Sequence, residues 1–324
     1  MIKKYRNIFV VVGSILLILI ISIGVYVFSN SKGIYSENQV ENQNKIASTY
    51  MTMNNPFFEV INEEIRYIVE GNGDILITRD PALDIEKQIQ EIYDFIDLGV
   101  KAIFINPVDW IAIKPALEAA KKAGITVIVI DADVYDENLV DCTVVSDNYE
   151  AGVLCAEDLM RKKDKANIIL LEHNTVKSAI DRIKGFKDTI EKNNNYNIVT
   201  TAECEGQLEI AMPIVERILS EIEDIDVIMA LNDPSALGAI IALEKNNLNN
   251  MLVYGVDGSP DAKNLIKDNR MTATASQFPR EIGRVAGEKL YDIFSGNNVD
   301  KKIVVSVELI DSNNIDNYDI DNWQ

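Results

Sequence analysis

From Lys45 onward, short apolar runs alternate with longer amphipathic stretches. The runs predict strands at Ile46–Thr52, Asp74–Thr78, Ala102–Asn106, Thr126–Asp131, Thr143–Ser146, Asn167–Leu171, Ile198–Ala202, Asp226–Ala230, Leu252–Val256 and Met271–Ala275. The stretches between them predict helices, among them Phe58–Val69, Ile85–Leu98, Ala112–Ala123, Ala179–Lys192, Gln207–Glu221, Ala236–Asn246 and Glu281–Phe294. Strands apolar on both faces and separated by helices read as parallel sheets covered on each side. About 280 residues of this alternation is too much for one ordinary doubly wound sheet, so two α/β lobes are expected. Local signals refine the helix ends. Asp80-Pro81 reads as an N-cap with a first-turn proline, and Ser178-x-x-Asp181 as a capping box. Gly99 and Gly124 stand where a glycine closes a helix.

The N-terminal segment has a different pattern. Ile8 to Phe28 is a 21-residue apolar run, long enough to cross a hydrocarbon core of about 30 Å. Lys3, Lys4 and Arg6 precede it, so the positive-inside rule puts residues after Phe28 outside the cytoplasm. A cleaved signal peptide is the rival reading, but the run exceeds the usual signal core. The expectation is a cytoplasmic n-region and single transmembrane helix over 1–29 in the cell membrane, then a polar linker over 30–44.

Charge and composition narrow the chemistry. A net charge of −20 argues against nucleic acid, whose phosphates need a basic surface. The single His, His173, excludes a multi-histidine metal site, and Cys142, Cys155 and Cys204 are too dispersed for a zinc finger or an iron–sulfur centre. The cysteines read as small buried residues. Neither a phosphate-binding glycine loop nor a G-x-S-x-G elbow occurs, so no cofactor, metal or catalytic set is indicated. Asp131 and Asp133 could suggest paired carboxylates, but an acidic turn after a strand accounts for them.

In open α/β sheets ligands bind at the carboxyl ends of strands. The polar residues ending the apolar runs are Asn54-Asn55, Asn106, Asp131, Asn232-Asp233, Asp257 and Gln277. Each could be a helix cap. Together they form a set of carboxylates and amides, which suits the adjacent hydroxyls of a sugar. Phe57 and Phe58 offer ring faces for the C–H side of such a ligand, and Arg182 adds a cation in the first turns of its helix.

Seven collinear segments resemble the ribose-binding-protein branch of the type I periplasmic sugar-binding proteins. They are Asn54-Asn55-Pro56-Phe57-Phe58, Ile105-Asn106-Pro107, Val129-Ile130-Asp131, Arg182-x-x-Gly185-Phe186, Leu231 to Ala239, Gly255 to Asp261, and Ala275 to Pro279. The resemblance implies two doubly wound parallel-sheet lobes joined by a three-segment hinge, with crossings near Ser146-Asp147, Gln277-Phe278 and Val305–Val307. The N-terminal lobe would comprise 45–146 plus 278–306, and the C-terminal lobe 147–277 plus 307–324. It implies ligand contacts from Asn55, Phe57, Phe58, Asp131, Arg182, Asn232, Asp257 and Gln277, with Asn106 lining the cleft. Three positions depart from the ribose binders: Ala132 replaces an Arg, and Gly206 and Val256 replace aromatics. The expected ligand is a monosaccharide or cyclic polyol other than ribose. The expected function is binding rather than catalysis, with delivery to the permease subunits of an ABC importer or, alternatively, sensing coupled to a histidine kinase.

Overall fold

The structure is a computed structural model that describes residues 19–24, 26, 43–248 and 250–324. Leu19 to Gly24 are helical. Among the described residues no helix is long and apolar enough to cross a membrane. Most of the run Ile8–Phe28 and nearly all of the linker 30–44 lie outside the described residues. The body considered below runs from Lys45 to Gln324.

Its first sheet is laid down by β1 (Lys45–Thr49), α1 (Pro56–Gly71), β2 (Ile75–Arg79), α2 (Ile85–Asp97), β3 (Ala102–Ile105), α3 (Lys114–Lys122), β4 (Thr126–Ile130) and β5 (Cys142–Ser146). The second follows with α4 (Asn148–Lys162), β6 (Ala166–Glu172), α5 (Lys177–Ile190), β7 (Tyr196–Glu203), α6 (Leu208–Glu221), β8 (Val227–Ala230), α7 (Asp233–Lys245), β9 (Leu252–Asp257), α8 (Pro260–Lys267) and β10 (Ala273–Ser276). Helix α9 (Pro279–Phe294) returns to pack on α1 in the first lobe. Strand β11 (Lys302–Val305) then joins β5 in parallel, and β12 (Glu308–Asp311) joins β10 antiparallel.

The strand orders are β2-β1-β3-β4-β5-β11 and β7-β6-β8-β9-β10-β12, the same winding twice. In each sheet the order reverses beside the first strand, at β1 and at β6, where loops diverge and leave a crevice at the carboxyl ends. Central strands such as Ala102–Ile105 and Val227–Ala230 are buried at every position, as their unbroken apolar sequence requires. The chain passes between the sheets over 146–148, 276–279 and 305–308.

Two helix starts differ from the sequence expectation. Helix α2 is capped by Asp84, whose side chain accepts from the Lys87 N–H at 3.1 Å, and not by Asp80. Asp80 instead accepts from the Ala82 N–H, and Ala82 and Leu83 hold φ of 55° and 66°, a backbone that cannot open a helix. Helix α5 begins at Lys177 after Val176, with no side-chain cap. Ser178 therefore lies inside the first turn, and Asp181 pairs with Lys177 one turn earlier. Gly99 and Gly124 do close their helices, with φ of 68° and 72°. All three cysteines are buried free thiols.

Candidate ligand-binding cleft

The carboxyl ends of the two sheets face one another across a narrow cleft. Its walls include Asn55, Phe57, Phe58 and Asp131 from the first lobe and Arg182, Asn232, Asp257 and Gln277 from the second. The structure thus brings eight of the nine residues singled out in the sequence to one space. Asn106, expected to line it, stands one layer behind. It is wholly buried, its Nδ2 donates to Asp131 Oδ2 at 3.1 Å, and its Oδ1 accepts from the Met51 N–H. Its amide is used up between the Asp131 carboxylate, the Ile130 carbonyl and the Met51 N–H.

Asp131 and Asp257 end β4 and β9 with φ of 66° and 144°, a region that disfavours side chains. Such strain costs about 1–3 kcal/mol per residue and persists only where packing enforces it. Here it accompanies two buried carboxylates at strand ends. Arg182 reaches both, at 3.8 Å from Asp131 and 3.6 Å from Asp257. Its Nε donates to Asn148 Oδ1 at 2.8 Å and its Nη1 to the Leu231 carbonyl at 3.1 Å, which hold the guanidinium in place. Burial pushes the Asp131 carboxyl up to about 6, with Arg182 and the Asn106 hydrogen bond pulling the other way. Burial also raises Asp257 well above the carboxylate range, again opposed by Arg182. Gln277 Nε2 donates to Asp257 Oδ1 at 2.8 Å.

Three acceptors in these walls have no hydrogen-bond partner: Asp131 Oδ1, Asp257 Oδ2 and Gln277 Oε1. Leaving a buried acceptor unpaired costs about 1–3 kcal/mol. The cleft therefore calls for a ligand bearing several donors, and its paired carboxylates oppose an anion. Among the described residues no cluster suited to a metal ion exists.

The remaining wall residues combine capping with exposure to the cleft. Asn55 caps α1 through the Phe57 N–H, and Asn232 caps α7 through the Ser235 N–H while donating to the Gly206 carbonyl. Asp233 turns away and braces the loop after β9, accepting from the Ser259 N–H and Thr274 Oγ1. Phe57 and Phe58 meet edge to face, centroids 5.4 Å apart. Of the three departures, only Gly206 faces the cleft; Ala132 and Val256 are wholly buried.

A profile of the periplasmic binding protein domain matches residues 46–298. The chain belongs to the periplasmic binding protein family. It is 33% identical over 266 residues to the ribose import binding protein RbsB of Bacillus subtilis, covering 82% of this chain and 86% of that one. An ABC transporter solute-binding protein of Mycobacterium smegmatis, solved with bound glycerol, superposes with a TM-score of 0.81 at 29% identity, covering 85% and 96% of the two chains. The binding component of the arabinose ABC transporter of Shewanella sp. ANA-3, bound to L-arabinofuranose, gives 0.79 at 26%, covering 84% and 93%.

As a periplasmic binding protein, the chain carries wall residues that the strand-end reading missed. His173, Ser178, Glu205 and Gln207 line the cleft, and Asn148 orients Arg182. His173 follows β6 and Asn148 follows β5, so the same strand-end rule applied to those two strands finds both. His173 Nε2 lies 2.9 Å from Thr175 Oγ1, and burial lowers its basicity against the pull of Glu203 and Glu205. Glu205 and Gln207 sit in the loop between the predicted strand Ile198–Ala202 and the helix predicted from Gln207, beyond the residue that directly ends the apolar run.

Proposed function

We propose that this protein binds a monosaccharide or cyclic polyol between its lobes, outside the cytoplasm, and delivers it to the permease of an ABC importer. The three unpaired acceptors on Asp131, Asp257 and Gln277 carry the reading. Hydroxyl groups are the neutral donors that satisfy several such acceptors in one small ligand. Arg182 supplies the complementary donors, and Phe57 and Phe58 provide an apolar wall for ring C–H groups. The ligands named for the relatives, ribose, glycerol and arabinofuranose, share this polyhydroxylated character. The apolar run Ile8–Phe28 would tether the domain to the membrane. Nothing in the site or the comparisons favours the kinase-coupled alternative.

A thermal-shift panel of pentoses, hexoses and inositols, followed by titration calorimetry, tests the proposal. Saturable one-site binding of at least one such compound is the expected result. Failure of every member to bind, with the protein folded, would remove it.

A further inference from the structure

Beside the cleft lies a second, open-sided space, also walled by both lobes. Asn55, Gly206 and Gln207 line both, so the two are adjoining rooms rather than separate features. At their boundary Gly206 holds φ 68°, and a Cβ there would stand 2.9 Å from Asn232 Nδ2. The partition at this point is bare backbone. Asn232 Nδ2 donates to the Gly206 carbonyl from within the same lobe, and across the boundary Asn54 Nδ2 donates to Gln207 Oε1 at 3.0 Å, between exposed groups.

The second space resembles the first in chemistry. Trp323, Pro56, Pro260 and Leu237 give it apolar faces, and Asn54, Gln207 and Glu209 give it polar edges. Trp323 packs edge to face on Phe57, with centroids 5.7 Å apart, and so continues the aromatic wall of the cleft outward. The tail bearing Trp323 is built into place. Lys263, fully buried on α8, donates its ammonium to the carbonyls of Asp319 and Asn322, and Asn264 Nδ2 donates to the Ile320 carbonyl at 3.2 Å. A buried lysine is costly unless its donors are matched, so this strap fixes the tail beside the cleft mouth.

We infer that the second space is a subsite for a second ring, and that the ligand class is a glycoside or disaccharide whose inner sugar sits in the cleft and whose outer ring stacks on Trp323. The inference rests on the sugar-binding reading and specifies its ligand. Indole presents a broad apolar face with one donor, which suits a ring carrying hydroxyls at its edge.

The test uses the full-length protein and titration calorimetry with D-glucose, D-galactose, D-xylose and D-ribose, each against its p-nitrophenyl glycosides, and with maltose, melibiose and xylobiose. At least one two-ring compound should bind as tightly as its parent sugar or more so. Trp323→Ala should lower the ratio of two-ring to free-sugar affinity about tenfold, the order expected for losing one stacked aromatic with its buried area. Leu237→Trp, which fills the space from α7, should lower the same ratio and guards against a Trp323 variant that folds poorly. If free sugars bind while every two-ring compound is more than tenfold weaker, or if both variants leave the ratio unchanged, the subsite is wrong and the sugar cleft stands. If no free sugar and no two-ring compound binds, both fall together.

Discussion

The Arg182 guanidinium stands 3.8 Å from the Asp131 carboxylate, and the pair joins α5 of one lobe to the end of β4 of the other. Both side chains are about 5% exposed. Arg182 also faces Asp257, so one cation serves two buried carboxylates. Removing one partner of such a pair leaves an uncompensated buried charge, at about 3–5 kcal/mol.

Arg182→Ala should therefore weaken sugar binding and lower the melting temperature together. Hydrogen bonds to charged groups contribute about 1.5–3 kcal/mol, or roughly 10- to 150-fold in affinity. Arg182→Lys should not restore binding, because an ammonium cannot reach Asn148, the Leu231 carbonyl and both carboxylates at once. Calorimetry and thermal melts of the two variants check this, and wild-type affinity in either would take Arg182 out of the site.

The raised Asp131 carboxyl, at about 6, gives the site a pH dependence of definite sign. The shut form holds a proton there that the unfolded chain releases near 3.8, so the stability of the shut form falls as pH rises from about 4 to about 6. That group's contribution is on the order of 3 kcal/mol. A hydroxyl donating to Asp131 needs the charged form, so sugar affinity should run the other way and drop up to about tenfold per pH unit below 6. Asp131→Asn should flatten both profiles. A ligand affinity constant from pH 5 to 7.5 in the wild type would show that Asp131 does not accept from the ligand.

Much of this arrangement was legible in the sequence because it rests on short-range signals. Unbroken apolar runs such as Ala102–Ile105 mark central strands, and the polar residue following each run marks the sheet's carboxyl edge. The edge strands β11 and β12 were not legible: at four residues each and only partly buried, they gain their structure from pairing with β5 and β10. Asn106 was placed at the right strand end but in the wrong layer, since its depth depends on Met51 and Asp131, distant in sequence. Trp323 left no pattern, because its position depends on the tail strap.

The placement of Arg182 depends on a close crossing of α4 and α5. A Cβ on Gly152 would stand 1.9 Å from the Arg182 carbonyl oxygen, and one on Gly185 would stand 2.0 Å from that of Tyr149. The helices touch through backbone, with no side chain to yield. Gly152→Ala should cost about 1–3 kcal/mol in overpacking and weaken sugar binding by displacing Arg182. Gly71→Ala, in open space at the end of α1, should do neither. Chemical denaturation and calorimetry of the two variants separate these outcomes; an unperturbed Gly152→Ala would mean that α5 can shift without moving the site.

The lobes are shut in this structure. Besides the Arg182–Asp131 pair, the Trp110 N–H donates to the Thr175 carbonyl at 3.0 Å, Thr175 Oγ1 donates to the Val108 carbonyl at 3.3 Å, and Asn54 bridges to Gln207. With Asp131 and Arg182 both nearly inaccessible, a sugar can reach their inner atoms only if the lobes part. The three segments passing between the sheets are the only covalent links, so parting is a rotation about them. These cross-cleft bonds are few and mostly at the rim, while the unpaired acceptors inside favour water until a ligand satisfies them. The ligand-free protein in solution should therefore be the more open form. Small-angle scattering should give a larger radius of gyration without ligand and a fall to the value of the shut form at saturation. Asn54→Ala, which removes one rim bridge, should leave the saturated value unchanged and require more ligand to reach it. A radius that is already that of the shut form without ligand, and does not move on titration, would mean that the sugar enters by some route other than lobe rotation.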